Sequence, residues 1–358
     1  MSNIARQHRI QWVDVAKALG IIAVVIGHAS AQHGTFYQVL YWWHMPLFFM
    51  IGGFFIRPQV GWRAYRHFIW RRLMPLYLQY LAVGALITLI DFGLQPGAWS
   101  VLWQGFEKLF YGGTLLNGSL SVFWYLTVYL LAVAAAVALI SFVKWAWLRW
   151  GIALTLFGLG LTYDNAQSLF GFTLPWDADV ALGAIRYVYV GYQLFDWVKG
   201  HLNCWWLIGL IFSQVLFFTW AQAQHKMHFI LYMKSHQIAG PTLLSSTELA
   251  LLLPVIFSIG IFVIAHWLAA TPLLPVLRFI GQHTLVVMYW HKLIFTILKQ
   301  FSWNAPVLLI GCGLLLPLLL AWCQQHVRQW WQRDAWLWWP FGQHRYAGKV
   351  VMKSVHEH

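Results

Sequence analysis

The chain has 358 residues, of which 60% are hydrophobic, 18% aromatic and only 9% charged, with a mean hydropathy of +0.62. A soluble globular chain carries about a quarter charged residues, so this composition excludes a soluble multidomain enzyme, a disordered protein and a disulfide-stapled secreted module. The 23 Lys and Arg against 10 Asp and Glu, a formal +13, would suggest nucleic acid in a soluble protein; here they sit in short gaps between long apolar blocks, as cytoplasmic loops facing anionic lipid do.

Ten apolar blocks lie near residues 13–31, 39–56, 74–92, 122–143, 146–162, 180–197, 204–220, 249–267, 284–298 and 306–323. Each is long enough, or nearly so, to cross a hydrocarbon layer about 30 Å thick. They are continuously apolar rather than alternating, which excludes a β-barrel. The expected fold is an all-α polytopic transmembrane helix bundle of about ten spans, a single transmembrane domain over residues 1–358. With the N-terminus inside, the basic residues separate cleanly. Arg6, Arg9, Arg57, Arg63, Arg66, Arg71, Arg72, Lys144, Arg149, Lys199, Arg278 and the C-terminal Arg328, Arg333, Arg345, Lys349 and Lys353 fall inside, only Lys108, Lys226, Lys234 and Lys299 outside, and Lys17, Arg186 and Lys292 within or at the edge of spans. Both termini are therefore expected to be cytoplasmic. No cleavable signal peptide is read at the N-terminus.

Polar groups inside spans are costly, which makes them informative. The first block carries Asp14, Lys17 and His28. Eleven residues separate Lys17 from His28, which places them about 20° apart around a helix and about 16 Å apart along it, with Asp14 within about 60° of Lys17. One stripe is thus polar at both ends, with Ile21 and Val24 between. Taken singly, Asp14 and Lys17 are equally well an interfacial ion pair. Gly27 would let another backbone approach the imidazole of His28.

The second block opens with Tyr41-Trp-Trp-His44-Met-Pro46. His28 and His44 should meet near the outer face, where one imidazole supplies a base near neutral pH and the other a second donor or acceptor. Pro46 is expected to start the helix or free its backbone. At the inner end of the third block, Arg71 and Arg72 serve either as a positive-inside anchor or as a grip on phosphates.

Among the outer segments, 93–121 contains an aromatic-rich stretch from Trp99 expected to lie in the interface as a helix, 163–179 carries Asp164, Asp177 and Asp179, and 221–248 holds His225, His228 and His236. The His225-x-x-His228 spacing fits no strong zinc pattern, and no metal is expected. The ninth block contributes His291 and Lys292. Cys204, Cys312 and Cys323 form no C-x-x-C pair and read as small apolar residues. No nucleophile elbow, P-loop or dinucleotide fingerprint is present.

Together these segments resemble the acyltransferase-3 family of integral membrane acyltransferases, and within it the subgroup of fucose O-acetylase-like and glucan succinyltransferase-like proteins. Asp14-Val-Ala-Lys17 followed by His28 is similar to that family's Asp-x-x-Lys/Arg-x10-His signature. His44-Met-Pro-Leu-Phe-Phe-Met-Ile-Gly-Gly resembles its second motif, Arg71-Arg-Leu-Met-Pro75 the start of its third helix, and Phe123-Trp-Tyr-Leu-Thr a further segment. So do Leu174-Pro-Trp-Asp177 through Gly191-Tyr192, and the stretch from Phe279 to His291. Lys17 stands where many members have Arg, Ala18 where Gly is usual, and Gly52 where Ser is usual.

The resemblance implies an O-acetyltransferase of the bacterial cell inner membrane, engaged in glycan modification. An acyl-CoA, acetyl-CoA first and succinyl second, donates from the cytoplasm to a sugar hydroxyl of a periplasmic or surface glycan or glycolipid. His28 is then the expected general base or transient acyl carrier, Lys17 with Asp14 sits near the donor or the developing charge, His44 positions the acceptor, and Arg71 and Arg72 hold donor phosphates. The rival expectation is a transporter or flippase of an anionic or sugar-linked substrate. The lack of an internal repeat counts against it.

Overall fold

The computed structural model describes residues 10–30, 34–95, 97–161, 171–235, 237–239 and 243–334. Arg6, Arg9, Asp164, His236, Arg345, Lys349 and Lys353 lie outside the described residues. Two units are resolved by their internal contacts, 1–318 and 319–358; of the second, residues 319–334 are described, as helix.

The first unit is built from helices α1 (Gln11–Ala29), α2 (Thr35–Phe54), α3 (Gly61–Phe68), α4 (Met74–Leu94), α5 (Trp99–Tyr111), α6 (Trp124–Phe142), α7 (Ala146–Gly160), α8 (Ala178–His201), α9 (Trp205–Ala223), α10 (Leu243–Leu268), α11 (Leu274–Gln282) and α12 (Thr284–Gln300), with the start of α13 (Pro306–Asp334). A small antiparallel hairpin pairs β1 (Ile230–Tyr232) with β2 (Gln237–Ala239). Every one of the ten apolar blocks falls on a helix. Among the described residues, six helical stretches are long and apolar enough to cross a membrane: Gln11–Ala29, Gly61–Leu94, Gly118–Phe142, Trp205–Ala223, Ser246–Leu268 and Pro306–Val327. The remaining four blocks fall short for local reasons. α7 and α12 have 15 and 17 residues, α8 carries Asp179, Arg186, Asp196 and Lys199, and α2 is interrupted by Gln38 and His44.

α1 occupies the middle of the unit, packed by α2, α10, α11 and α12. Val15, Ala16, Ala18 and Val25 are fully buried, so the faces flanking its polar stripe meet other helices. Two crossings bring backbones into contact. A Cβ at Gly53 of α2 would lie 2.0 Å from the Val188 carbonyl oxygen of α8, and one at Gly191 of α8 would lie 2.0 Å from the Met50 oxygen of α2. At Gly281 of α11 a Cβ would lie 1.8 Å from the Asp14 oxygen of α1. Small residues of this kind set how closely apolar helices pack when no water drives them together.

Several local expectations are corrected. Pro46 lies buried inside α2 and not at its start; of the two roles expected of it, it takes the other, freeing the Trp42 carbonyl of its usual helical donor. Gly27 admits the Tyr41 ring, at 3.1 Å from a built Cβ, rather than a backbone. Gly52, where a serine was the family expectation, faces the Tyr129 ring at 2.7 Å, so the ring occupies the space a side chain would need. The helix expected from Trp99 forms as α5, which exposes Trp99, Trp103 and Phe110 while burying Leu102 and Leu109 against α4.

Candidate active site

A cavity of about 1780 Å³ runs alongside α1 and is lined by Lys17, Ile21, Val24 and His28. The four residues of the polar-ended stripe therefore share one wall. Tyr41, His44, Met45 and Phe48 of α2 line it as well. Near Lys17 it also touches Gln282, and its broad end near His28 is bounded by Asn117, Asp177, Tyr232, Lys234 and Lys292.

At the first end, Asp14 is buried and accepts from Lys17 Nζ at 3.5 Å and from Gln282 Nε2 at 3.5 Å. Lys17 keeps 27% of its side chain exposed and faces the cavity. The carboxylate thus orients an ammonium that points into the hollow. Both readings of this pair, structural and functional, coexist here.

At the other end three imidazoles gather. The His28 and His291 rings stack with centroids 5.4 Å apart and planes at 29°. His44, His291, Lys234 and Lys292 all lie within electrostatic reach of His28. His44 Nδ1 is 2.7 Å from the Leu40 carbonyl oxygen, and His291 Nδ1 is 2.9 Å from that of Val287. A carbonyl only accepts, so in the neutral ring Nδ1 carries the proton in both cases and Nε2 keeps its lone pair. His44 Nε2 is then a fixed acceptor on the cavity side of α2. His291 Nε2 is buried without a hydrogen-bond partner among the described residues.

Arg71 and Arg72 are exposed and do not line the cavity. They occupy a π-helical stretch, Ile69–Leu73, between α3 and α4, a distortion that recurs at functional sites. Leu76, about one turn further along, does line the cavity. The two guanidiniums are therefore near the cavity in sequence but not part of its wall.

The broad end is closed by a strained turn and by the hairpin. Trp176 and Asp177 have φ of 62° and 49°, a region that non-glycine residues rarely adopt. This turn buries the Asp177 carboxyl, whose Oδ1 accepts the Thr114 N–H at 2.6 Å. Gly113 must be glycine, since a Cβ there would lie 2.3 Å from Asp177 Oδ1. Burial, reinforced by Asp179 and only partly countered by the Thr114 bond and Lys234, pushes the Asp177 carboxyl up to about 6. A carboxyl raised above its unfolded value favours the fold below pH 4 and gives up that contribution as pH rises through 6, about 3 kcal/mol in all. The wild-type thermal midpoint in detergent should therefore fall between pH 4.5 and pH 7, and Asp177→Asn should flatten that fall. An unchanged slope would remove Asp177 as its source. Beside this turn, Tyr37, Tyr41 and Tyr232 pack with centroids 4.3 to 5.9 Å apart and all line the cavity.

The structure therefore brings Asp14, Lys17, His28 and His44 to one cavity and leaves Arg71 and Arg72 outside its lining. It adds Lys292, Lys234, Asp177 and the three tyrosines to that wall, with His291 stacked behind His28. Lys292 was visible in the sequence as a charge within a span. Asp177 and Lys234 lie in outer segments, where no local periodicity ties a residue to a helix 150 or more positions away. Among the described residues no group of histidine, cysteine and carboxylate side chains is arranged to hold a metal.

An apolar helical bundle hollowed by a histidine-lined cavity defines a membrane-embedded transfer or transport protein, and comparison decides between them. The family model described as an acyltransferase domain, acyltransferase-3, matches residues 10–323, and the chain belongs to that family. It is a multi-pass membrane acyltransferase. No curated protein and no solved structure matches the chain.

Proposed function

We propose that the protein is an O-acyltransferase of the bacterial inner membrane, with ten spans and both termini cytoplasmic. It moves an acyl group, acetyl in the first instance, from a cytoplasmic acyl-CoA to a sugar hydroxyl of a glycan or glycolipid on the other face. The observation that carries this reading is the cavity wall that links Lys17 to His28 along one helix. It offers a slender acyl-pantetheine arm a path from one leaflet toward the other while the nucleotide stays outside.

In this reaction the sugar oxygen attacks the thioester carbonyl carbon, the C–S bond breaks, and an ester and free CoA thiol result. His28 takes the hydroxyl proton and returns it to the departing sulfur, so no net proton is consumed. His44, its Nε2 fixed as an acceptor, orients the incoming hydroxyl. Lys17, held by Asp14, supports the donor's anionic portion or the charge that develops. Arg71 and Arg72 grip the diphosphate at the mouth.

Glycan mass spectrometry on cells with and without the protein tests the reading directly. A base-labile mass increase that requires the protein establishes the ester, and its size names the acyl group. Purified protein then reports on the arginines. R71Q/R72Q should raise the KM for acyl-CoA by about tenfold, the equivalent of one charge-assisted contact, with kcat little changed. An unaltered KM would reduce both residues to membrane anchors.

A further inference from the structure

Lys292 lies on α12 immediately after His291 and lines the broad end of the cavity. Among the described residues, the charged groups that act on it are basic: Lys299 further along α12 and Lys234 from the hairpin. His28 is a third basic neighbour, within reach of both Lys292 and Lys234. Among the described residues, the one ion pair with both partners placed is Lys17–Asp14, at the other end of the cavity.

Lys234 has a different role. Its ammonium is pinned by the Leu116 and Ser121 carbonyl oxygens at 3.1 and 3.4 Å, and Asp177 acts on it electrostatically without approaching to ion-pair distance. Asp177 does not figure among the groups acting on Lys292. Like charges gathered in a half-buried hollow repel more strongly than in water and are destabilising unless an anion joins them. A charge that develops only during reaction would not relieve the resting protein.

We infer that Lys292 and Lys234 form an anion subsite beside His28, which holds a carboxylate or phosphate oxyanion borne by one of the two substrates. This rests on the acyl-transfer reading for the word substrate, though not for the existence of the site. A lysine pair suits either group, since an ammonium acts as a point charge without bidentate preference. If the anion is carried by the acyl group, it is the free carboxylate of a dicarboxylic acyl chain. If it is carried by the acceptor, it is a phosphate or acidic sugar next to the hydroxyl that reacts.

The test uses the full-length protein in detergent and needs no turnover, so it is independent of whether acyl transfer is ever observed. Thermal midpoints are measured against increasing inorganic phosphate, with chloride at matched ionic strength as the reference. Wild type should show a saturable rise specific to phosphate. Lys292→Gln should weaken the apparent affinity by at least about tenfold and Lys234→Gln by a smaller factor, the loss of a charge-assisted contact in each case. Lys292→Arg should retain the response, as should Lys17→Gln and R71Q/R72Q, which alter the other end. A wild-type response matched by chloride, or one undiminished in both Lys292→Gln and Lys234→Gln, overturns the inference. Should Lys292→Gln not fold, Lys234→Gln and the Lys292→Arg control decide it.

A second arm identifies the source. Displacement of phosphate by succinyl-CoA but not acetyl-CoA assigns the anion to the acyl group. Displacement by neither assigns it to the acceptor.

Discussion

His28→Ala is expected to reduce ester formation by a factor of about 10²–10⁴, the usual contribution of a positioned acid–base group, while the protein accumulates in membranes at its normal level. The second half of that statement follows from position. His28 is only partly buried and faces the cavity, so its removal enlarges a hollow already present instead of opening a void in a packed core. Its contact with His291 is a stacking of rings, which alanine forfeits at small expense to stability. The base-labile glycan product, quantified beside membrane levels, checks both halves. A variant that makes wild-type amounts of product would sink the assignment and leave His44, with its lone pair fixed by the Leu40 bond, as the base.

Gly191→Val should be as damaging to the fold as His28→Ala is to the chemistry. The built Cβ meets not a side chain that can swing aside but the Met50 carbonyl, at 2.0 Å, with the Met50 carbonyl carbon at 2.7 Å. Relief requires α2 and α8 to separate, and Gly53 faces Val188 across the same crossing. Overpacking at yielding sites costs about 1–3 kcal/mol; here at least about 3 kcal/mol is expected, a large fraction of a typical folding margin of about 5–15 kcal/mol. The predicted observation is a sharply lowered thermal midpoint and loss of protein from the membrane. Because α2 carries His44, any surviving protein should also lose activity. Wild-type melting would mean that this crossing is looser than described.

What the sequence made legible was whatever repeats along a single helix. The apolar blocks locate the helices because span length follows from bilayer thickness, and the stripe from Lys17 to His28 follows from 100° per residue. Contacts that join distant elements were beyond that kind of reading. Nothing near Lys234 signals that its ammonium will rest on carbonyls at Leu116 and Ser121. Nothing near Trp176-Asp177 announces a turn with two positive φ angles, for which glycine or asparagine would have been the local cue. Arg71 and Arg72 show the converse. Their pattern was plain, but they sit exposed in a π-helical stretch and outside the cavity lining, which no residue-type rule predicts.

The apolar middle of the stripe has a bioenergetic consequence. A bundle hollowed along much of a helix could drain the proton gradient that an energised membrane maintains. Protons travel through connected water and titratable groups, and narrow apolar constrictions stop them by drying out. Between Lys17 and His28 the α1 side of the cavity is Ile21 and Val24, and Met45 and Phe48 of α2 also line it; none of these four side chains can relay a proton. An apolar stretch of this kind would slow proton passage along α1 while leaving room for a thin, uncharged chain, so that chemistry at the two ends could be joined without an electrical short circuit.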